Sequence, residues 1–195
     1  VLISIAVSHH FWAEFRMVIA LLLLASLVTF FIGFAKRLEP EHSFSITPQG
    51  ITFQHKYGSW KLPWSDILRF EQLNVQVGLD RRPLPYIGVR LGSCDNLINS
   101  ITPRLASRLP HEQRPLLTMA ITQSLLTIEQ AQINFSPYKH NDKLIKGPIA
   151  LYMHHTQALS TAYGYHIYLP LSALDRSADD FIQLLKQCQA HRHDY

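Results

Sequence analysis

Eleven histidines, two cysteines and abundant serine and aspartate give this 195-residue chain the raw material for metal binding or nucleophilic catalysis. Their spacing supplies neither pattern. Histidines pair at His9-His10, His154-His155 and His191 with His193. Neighbours on a helix point about 100° apart, so His154 and His155 cannot ordinarily share one ion. A zinc site needs three or four converging ligands and an ordered second shell, and no HExxH or paired CxxC occurs. There is also no GxSxG elbow, no Walker-type phosphate loop and no GxGxxG before a helix. Cys94 and Cys188 are far apart and suit a reducing compartment. Asp66 reads first as a residue tying down its own turn. The Asp175-Arg176 pair reads as a local ion pair or a helix-entry bond. No catalytic residue, metal ligand or cofactor is therefore expected.

Four residues are better candidates for binding than for catalysis. Tyr86, Arg90, Arg104 and Arg108 would line a concave surface between a sheet and the helices inserted after it, giving a ligand or peptide site. The competing expectation is that the arginines bridge insertion and sheet through salt bridges.

The elements that must position these groups begin with a membrane segment. Met17 to Ala35 is an uninterrupted run of nineteen residues without an ionisable side chain, long enough to cross a hydrocarbon layer of roughly 30 Å as a helix. A signal peptide would have a shorter apolar region and a small-residue cleavage site, whereas Lys36 and Arg37 follow here. A buried core helix with no polar face would need a larger protein around it. Val1 to Val7 is apolar as well and reads as the end of an earlier span near residue 7, with SHHFWAEFR as a turn bearing interface-favouring aromatics. Trp12, Lys36 and Arg37 are the expected membrane-interface residues. Lys36 and Arg37 outweigh Arg16 across the run, which by the positive-inside tendency puts the part after it in the cytoplasm.

Residues 1–37 thus form the transmembrane segment or hairpin, and 38–195 one soluble domain. The formal net charge of +4 is modest and dispersed. It suits a neighbour of an anionic leaflet and is too weak to indicate nucleic-acid binding.

Alternation predicts antiparallel strands from Ser43 to Asn74, with turns at Pro48-Gly50 and Gly58-Ser59. Ile51, Phe53 and His55 share one face, as do Trp60, Leu62 and Trp64. Pro63 marks an edge or an end. PYIGVRL continues the sheet after a turn at Leu79 to Arg82. The period then becomes helical. Thr102 caps a short helix to Leu109, Pro110 interrupts, and a second helix runs from about His111 to Ala131 with Leu117, Ile121, Ser124, Leu125 and Ile128 inward. A polar stretch precedes a third helix, Ile149 to Tyr163, which Gly164 ends. YHIYLP is a strand. A capping signature at Ser177 opens the last helix, with Phe181, Leu184, Leu185 and Cys188 on its apolar face.

The segment GITFQHKYGSWKLPWSDILRFEQL resembles the bacterial pleckstrin-homology-like (PH-like) module, through Gly50-Ile51, Gly58-Ser59, Trp64 and Asp66-Ile67. The final strand and amphipathic helix, which would plug an open barrel, resemble it too. LEPEHSFSITPQGI, KYGSWKLPW, LPYIGVRL, PRLASRL with EQRPLL, and GYHIYLPLSALDRSADDF are similar to an uncharacterised family of gammaproteobacterial membrane proteins, a domain of unknown function. The resemblance implies an α+β fold: a PH-like antiparallel β-barrel or sheet with a helical insertion at about 102–163 and a C-terminal helix. Together with the charge bias across the apolar run, it gives the expectation of a bacterial inner-membrane protein with a cytoplasmic domain. The first strand turn, Thr47 to Gly50, has no basic residue of the kind that reads lipid headgroups in eukaryotic relatives. The function expected is non-catalytic docking of a protein or peptide partner near the bilayer. A lipid or small-ligand sensor and a membrane-anchored enzyme are the alternatives.

Overall fold

A computed structural model of the chain describes residues 2–37, 43–77 and 80–191, and within the first helix the side chains of 15–34. The chain divides into two units, Val1–Glu41 and His42–Tyr195.

The first unit is a single helix, α1 (Leu2–Arg37). Its segment Phe15–Phe34 is 20 residues long and apolar enough to cross a membrane, rising about 30 Å. Its leucines and phenylalanines are exposed on every side. The Thr29 hydroxyl donates to the Ala25 carbonyl at 2.8 Å, which satisfies that polar group within the helix itself. The stretch expected to turn, Ser8 to Arg16, is instead helical and continuous with the apolar run. Apolar and helix-tolerant residues run through it with no glycine or proline to break the ladder. The side chains of Trp12, Lys36 and Arg37 lie outside the described ones.

The second unit opens with the meander β1 (Phe44–Thr47), β2 (Gly50–His55) and β3 (Gly58–Pro63), in that spatial order. Ile51 pairs with Leu62 and Phe53 with Trp60, so the alternating residues meet on one buried face. β3 ends at Pro63 and is an edge. A 3₁₀ turn, Trp64–Asp66, leads into the long hairpin β4 (Ile67–Val77) and β5 (Asp80–Leu91). The turn expected at Leu79 to Arg82 is shorter. Asp80, Arg81 and Arg82 already pair with Val77, Gln76 and Val75, while Leu79 lies outside the described residues.

Four helices and a small hairpin separate β5 from its second partner: α2 (Asp95–Ser100), α3 (Pro103–Glu112), α4 (Arg114–Thr122), β6 (Tyr138–His140), β7 (Lys143–Ile145) and α5 (Pro148–Tyr163). β8 (Ile167–Pro170) then joins the edge of β5, giving the order β4-β5-β8. α6 (Ala178–Ala190) closes the unit. The Ser177 hydroxyl accepts from the Asp180 amide at 3.2 Å as its N-cap.

None of the sheets closes into a barrel, contrary to the barrel alternative. The reason lies at the outer edge of β3. There the Ser100 hydroxyl accepts from the Lys61 amide at 3.1 Å and donates to its carbonyl at 2.8 Å, and the Thr102 amide reaches the Ser59 carbonyl at 3.1 Å. The last residue of α2 and the N-cap of α3 thus occupy the groups another strand would need.

The main core gathers the inner faces of both sheets, α2, α3, α5 and α6, around Trp60, Trp64, Phe70, Tyr152 and Phe181. A smaller cluster lies on the other face of β4-β5-β8, where Leu73, Leu116, Leu159, Tyr165 and Tyr168 meet. Alternation from Phe70, which faces the main core, puts Glu71 and Leu73 there. The sheet carrying β8 is therefore covered on both faces.

The middle of the chain departs most from expectation. Pro110 lies inside α3 rather than interrupting it, and the break falls at Gln113. α4 stops at Thr122 instead of continuing to Ala131. Ser124 takes a left-handed φ of 57°, and the Leu125 amide returns to the Ala120 carbonyl at 2.9 Å, closing the helix. Leu116 and Ala120 face the core, so Leu125 and Ile128 are left exposed. Part of the polar stretch after it forms β6 and β7, which turn at Asn141 with φ 51°.

Candidate functional site

The end of the β2-β3 hairpin, the C-terminal turn of α3 and β8 enclose a cleft of about 350 Å³. β-sheet alternation brings Phe53 and Trp60 to its wall, the apolar face of α3 adds Leu109, and β8 contributes Ile167 and Leu169. Tyr152 from α5 is fully buried behind them. Burial drives its phenol far above the usual value, with the Thr156 hydroxyl opposing the rise.

A polar network forms the mouth. Arg108 Nε donates to Glu112 Oε1 at 2.9 Å, one helical turn on. The same carboxylate oxygen is 3.9 Å from His55 Nε2. The His55 ring stacks on Phe53 at 5.9 Å and leans on Tyr57 at 5.4 Å, and its buried Nδ1 has no hydrogen-bond partner. Arg108 and Lys56 both sit over the Tyr57 ring, at 5.2 and 5.4 Å. Tyr86 faces the same space, its phenol pushed upward by burial and then by the Glu112 charge.

Behind the mouth, Gln113 and His155 form a buried pair, His155 Nε2 lying 3.0 Å from Gln113 Oε1. The amide oxygen can only accept, so Nε2 carries the proton. Burial, aided by the nearby His111, lowers the His155 pKa to about 4, and the ring is neutral at physiological pH.

The four candidate binding residues are not gathered in one place. Tyr86 lines the cleft and Arg108 braces its rim. Arg90 ties the sheet to the end of α5 by donating from Nη1 to the Gly164 carbonyl at 2.7 Å. It lines a separate depression with Cys94, His140 and His166. Arg104 is exposed on α3. Residue spacing missed His55 as a site residue, along with Lys56, Tyr57 and Glu112. The HKY run at the end of β2 was a signal, because it concentrates two aromatic rings and a cation at a strand end.

Several groups have the types needed for nucleophilic chemistry but the wrong geometry. His154 Nε2 lies 3.1 Å from the Ser136 carbonyl and 3.4 Å from its hydroxyl. The carbonyl requires a proton on Nε2, leaving that nitrogen no lone pair to activate the hydroxyl. His140 Nε2 meets Asp95 Oδ1 at 3.1 Å, while the Cys94 thiol beside them is pushed up by burial and then by Asp95. That direction opposes thiolate formation. Asp66 holds Asn96 Nδ2 at 2.8 Å and its carbonyl accepts from the Gly92 amide at 2.7 Å. Asp175 and Arg176 form a bidentate pair at 2.9 Å. Among the described residues no three His, Cys, Asp or Glu side chains converge on a common point.

These features define an α+β protein in which a helix of spanning length precedes a unit of open antiparallel sheets with an amphipathic cleft. The chain belongs to the family described as "Protein of unknown function (DUF2982)", whose model matches residues 44–191. The match begins with β1 and ends just after α6. No curated protein and no solved structure matches the chain.

Proposed function

We propose that this protein is a membrane-anchored, non-catalytic docking module. In this reading α1 crosses the inner membrane, the unit that follows faces the cytoplasm, and the cleft beside β8 holds an extended segment of a partner protein. The observation that carries it is the cleft's make-up. Its walls are Phe53, Trp60, Leu109 and Leu169, its mouth presents Lys56, Tyr86, Arg108 and Glu112, and all four residues of an edge strand line it. Apolar walls suit alternate side chains of an extended peptide, and a strand edge suits its backbone. The His55 Nδ1 without a partner favours an occupant that brings hydrogen-bonding groups.

Kinship with PH-like modules belongs to the same proposal. It is supported by the meander, the Trp64–Asp66 turn and the way Phe181 and Leu185 of α6 enter the core between the sheets. Lys36 and Arg37 at the end of α1, against Arg16 at its other side, support the cytoplasmic orientation.

A photo-crosslinking residue in place of Tyr86, in the full-length chain in its own cells, tests the docking role. Adducts to another protein at Tyr86, and not at exposed Leu68, are expected. Adducts to lipid alone at Tyr86, or none, would replace docking with ligand sensing or remove the cleft from the function.

A further inference from the structure

The second unit has seven exposed large hydrophobic side chains among its described residues, and five of them fall between Leu125 and Leu144. They are Leu125, Ile128, Ile133, Phe135 and Leu144, with relative exposures of 43, 65, 48, 77 and 60 %. A loop region of a soluble surface usually carries polar side chains, and clustered apolar exposure marks an interaction site. Two of them, Ile133 and Phe135, line one shallow depression over α5 together with the buried Leu126 and with Glu129.

Local bonds hold the backbone in the conformation that turns these side chains outward. The Thr127 amide donates to Gln130 Oε1 at 3.0 Å, and the Ser136 amide to Asn134 Oδ1 at 2.8 Å. Leu126, between the exposed Leu125 and Ile128, is buried and anchors the loop. The Ser136 carbonyl is fixed to His154, whose ring meets Tyr138 edge-on at 5.0 Å. Across the β6-β7 hairpin Lys139 pairs with Leu144, so a cation and an exposed apolar side chain share one outward face. Lys143 pairs with His140 on the opposite face, towards Asp95, and Lys146 follows the strand.

We infer that this surface, from Leu125 to Lys146, inserts its apolar side chains into the interface of an anionic bilayer while Lys139 contacts the headgroups. Exposed Leu, Ile and Phe side chains, with the Lys139 cation on the same face as Leu144, match the chemistry of peripheral membrane insertion. Only six residues, 38–43, separate α1 from β1, a contour of roughly 20 Å at most. A bilayer crossed by α1 is therefore always within reach of the second unit. The inference rests on the reading of α1 as a membrane span and is independent of what fills the cleft.

The test uses the full-length chain reconstituted in phosphatidylcholine vesicles with and without phosphatidylglycerol. An environment-sensitive fluorophore is placed through Phe135→Cys, with Leu68→Cys as a surface reference and Leu23→Cys as a reference inside the apolar run. Wild-type protein carried through the labelling subtracts Cys94 and Cys188. The expected result is a blue shift at position 135 and loss of its emission to brominated lipid, stronger with phosphatidylglycerol and weakened by high salt, while position 68 is unaffected. Quenching at 23 with a water-exposed label at 135 would overturn the inference and leave the span intact. A blue shift at 135 without bromine quenching, growing with protein density in the vesicle, would assign the surface to a second copy of the chain and overturn it equally. Absence of quenching at 23 would remove the span, and the inference with it.

Discussion

Burial to 9 % exposure, with the nearby His111, keeps the His155 imidazole neutral in the folded chain. The unfolded chain takes up the second ring proton, on Nδ1, near pH 6.5, the folded chain only near pH 4. Between those values the unfolded state binds more protons, so acid favours unfolding. Stability is intact above pH 6.5, falls as the pH drops towards 4, and levels off below it. The full loss is on the order of 3 kcal/mol. His166, which burial and then Arg90 also lower, adds to the slope with the same sign. Thermal melts of the full-length chain in mild detergent across this range should show the decline, and His155→Gln should remove most of it. An unchanged slope in that variant would mean that other groups govern acid unfolding. Glu112→Gln is expected to behave differently. Its partner Arg108 is 46 % exposed, so the pair is screened, and its loss should alter melting little while reshaping the mouth of the cleft.

Elements differ in how firmly local sequence dictates them. Ser177→Ala removes the hydroxyl that accepts from the Asp180 amide and donates to its carboxylate. It should cost about 1 kcal/mol, read as a lower melting temperature and faster amide exchange in the first turn of α6. Gly88→Ala probes packing instead. A Cβ there would lie 2.5 Å from Tyr165 and 2.6 Å from Leu73, so the small cluster on the outer face of β4-β5-β8 must open, at about 1–3 kcal/mol. A melt equal to wild type would mean that Tyr165 swings away without cost. These positions also explain what was legible in the sequence. β2, β3, α5 and α6 follow from strict alternation, Pro at a helix start, Gly164 in the left-handed conformation and the Ser177 cap. The segment from His111 to Lys146 does not, because the helical stripe it offers splits: Leu117 packs against the smaller cluster while Leu125 and Ile128 are left in water. The stop after Thr122 depends on a left-handed Ser124, a residue type that gives no such warning. The cleft was only partly readable, since Glu112 and His55 are distant in sequence and meet only where α3 crosses the end of β2. Tyr86 and Arg108 were within reach of spacing arguments; Arg90 and Arg104 were not separable from them without the sheet.

If α1 spans a membrane as proposed, the division of the chain into two units makes anchoring and folding separable properties of the molecule. The apolar segment of α1, Phe15–Phe34, has no buried share. Aspartates placed at its middle should therefore act on membrane insertion alone. Leu23 and Leu24 are 66 and 58 % exposed, so on neither side would a carboxylate find protein to hide in. On insertion scales each aspartate at the centre of a span costs about 2.5–3.5 kcal/mol, and together they exceed what the remaining apolar residues can readily offset. The chain carrying Leu23→Asp and Leu24→Asp should be released from membranes by alkaline carbonate, whereas wild type and the Leu23→Ala, Leu24→Ala chain should be retained. The melt of the second unit should be the same in all three. Retention of the aspartate chain would show that α1 is not what holds the protein at the bilayer, and the surface between Leu125 and Lys146 would then have to carry the attachment alone.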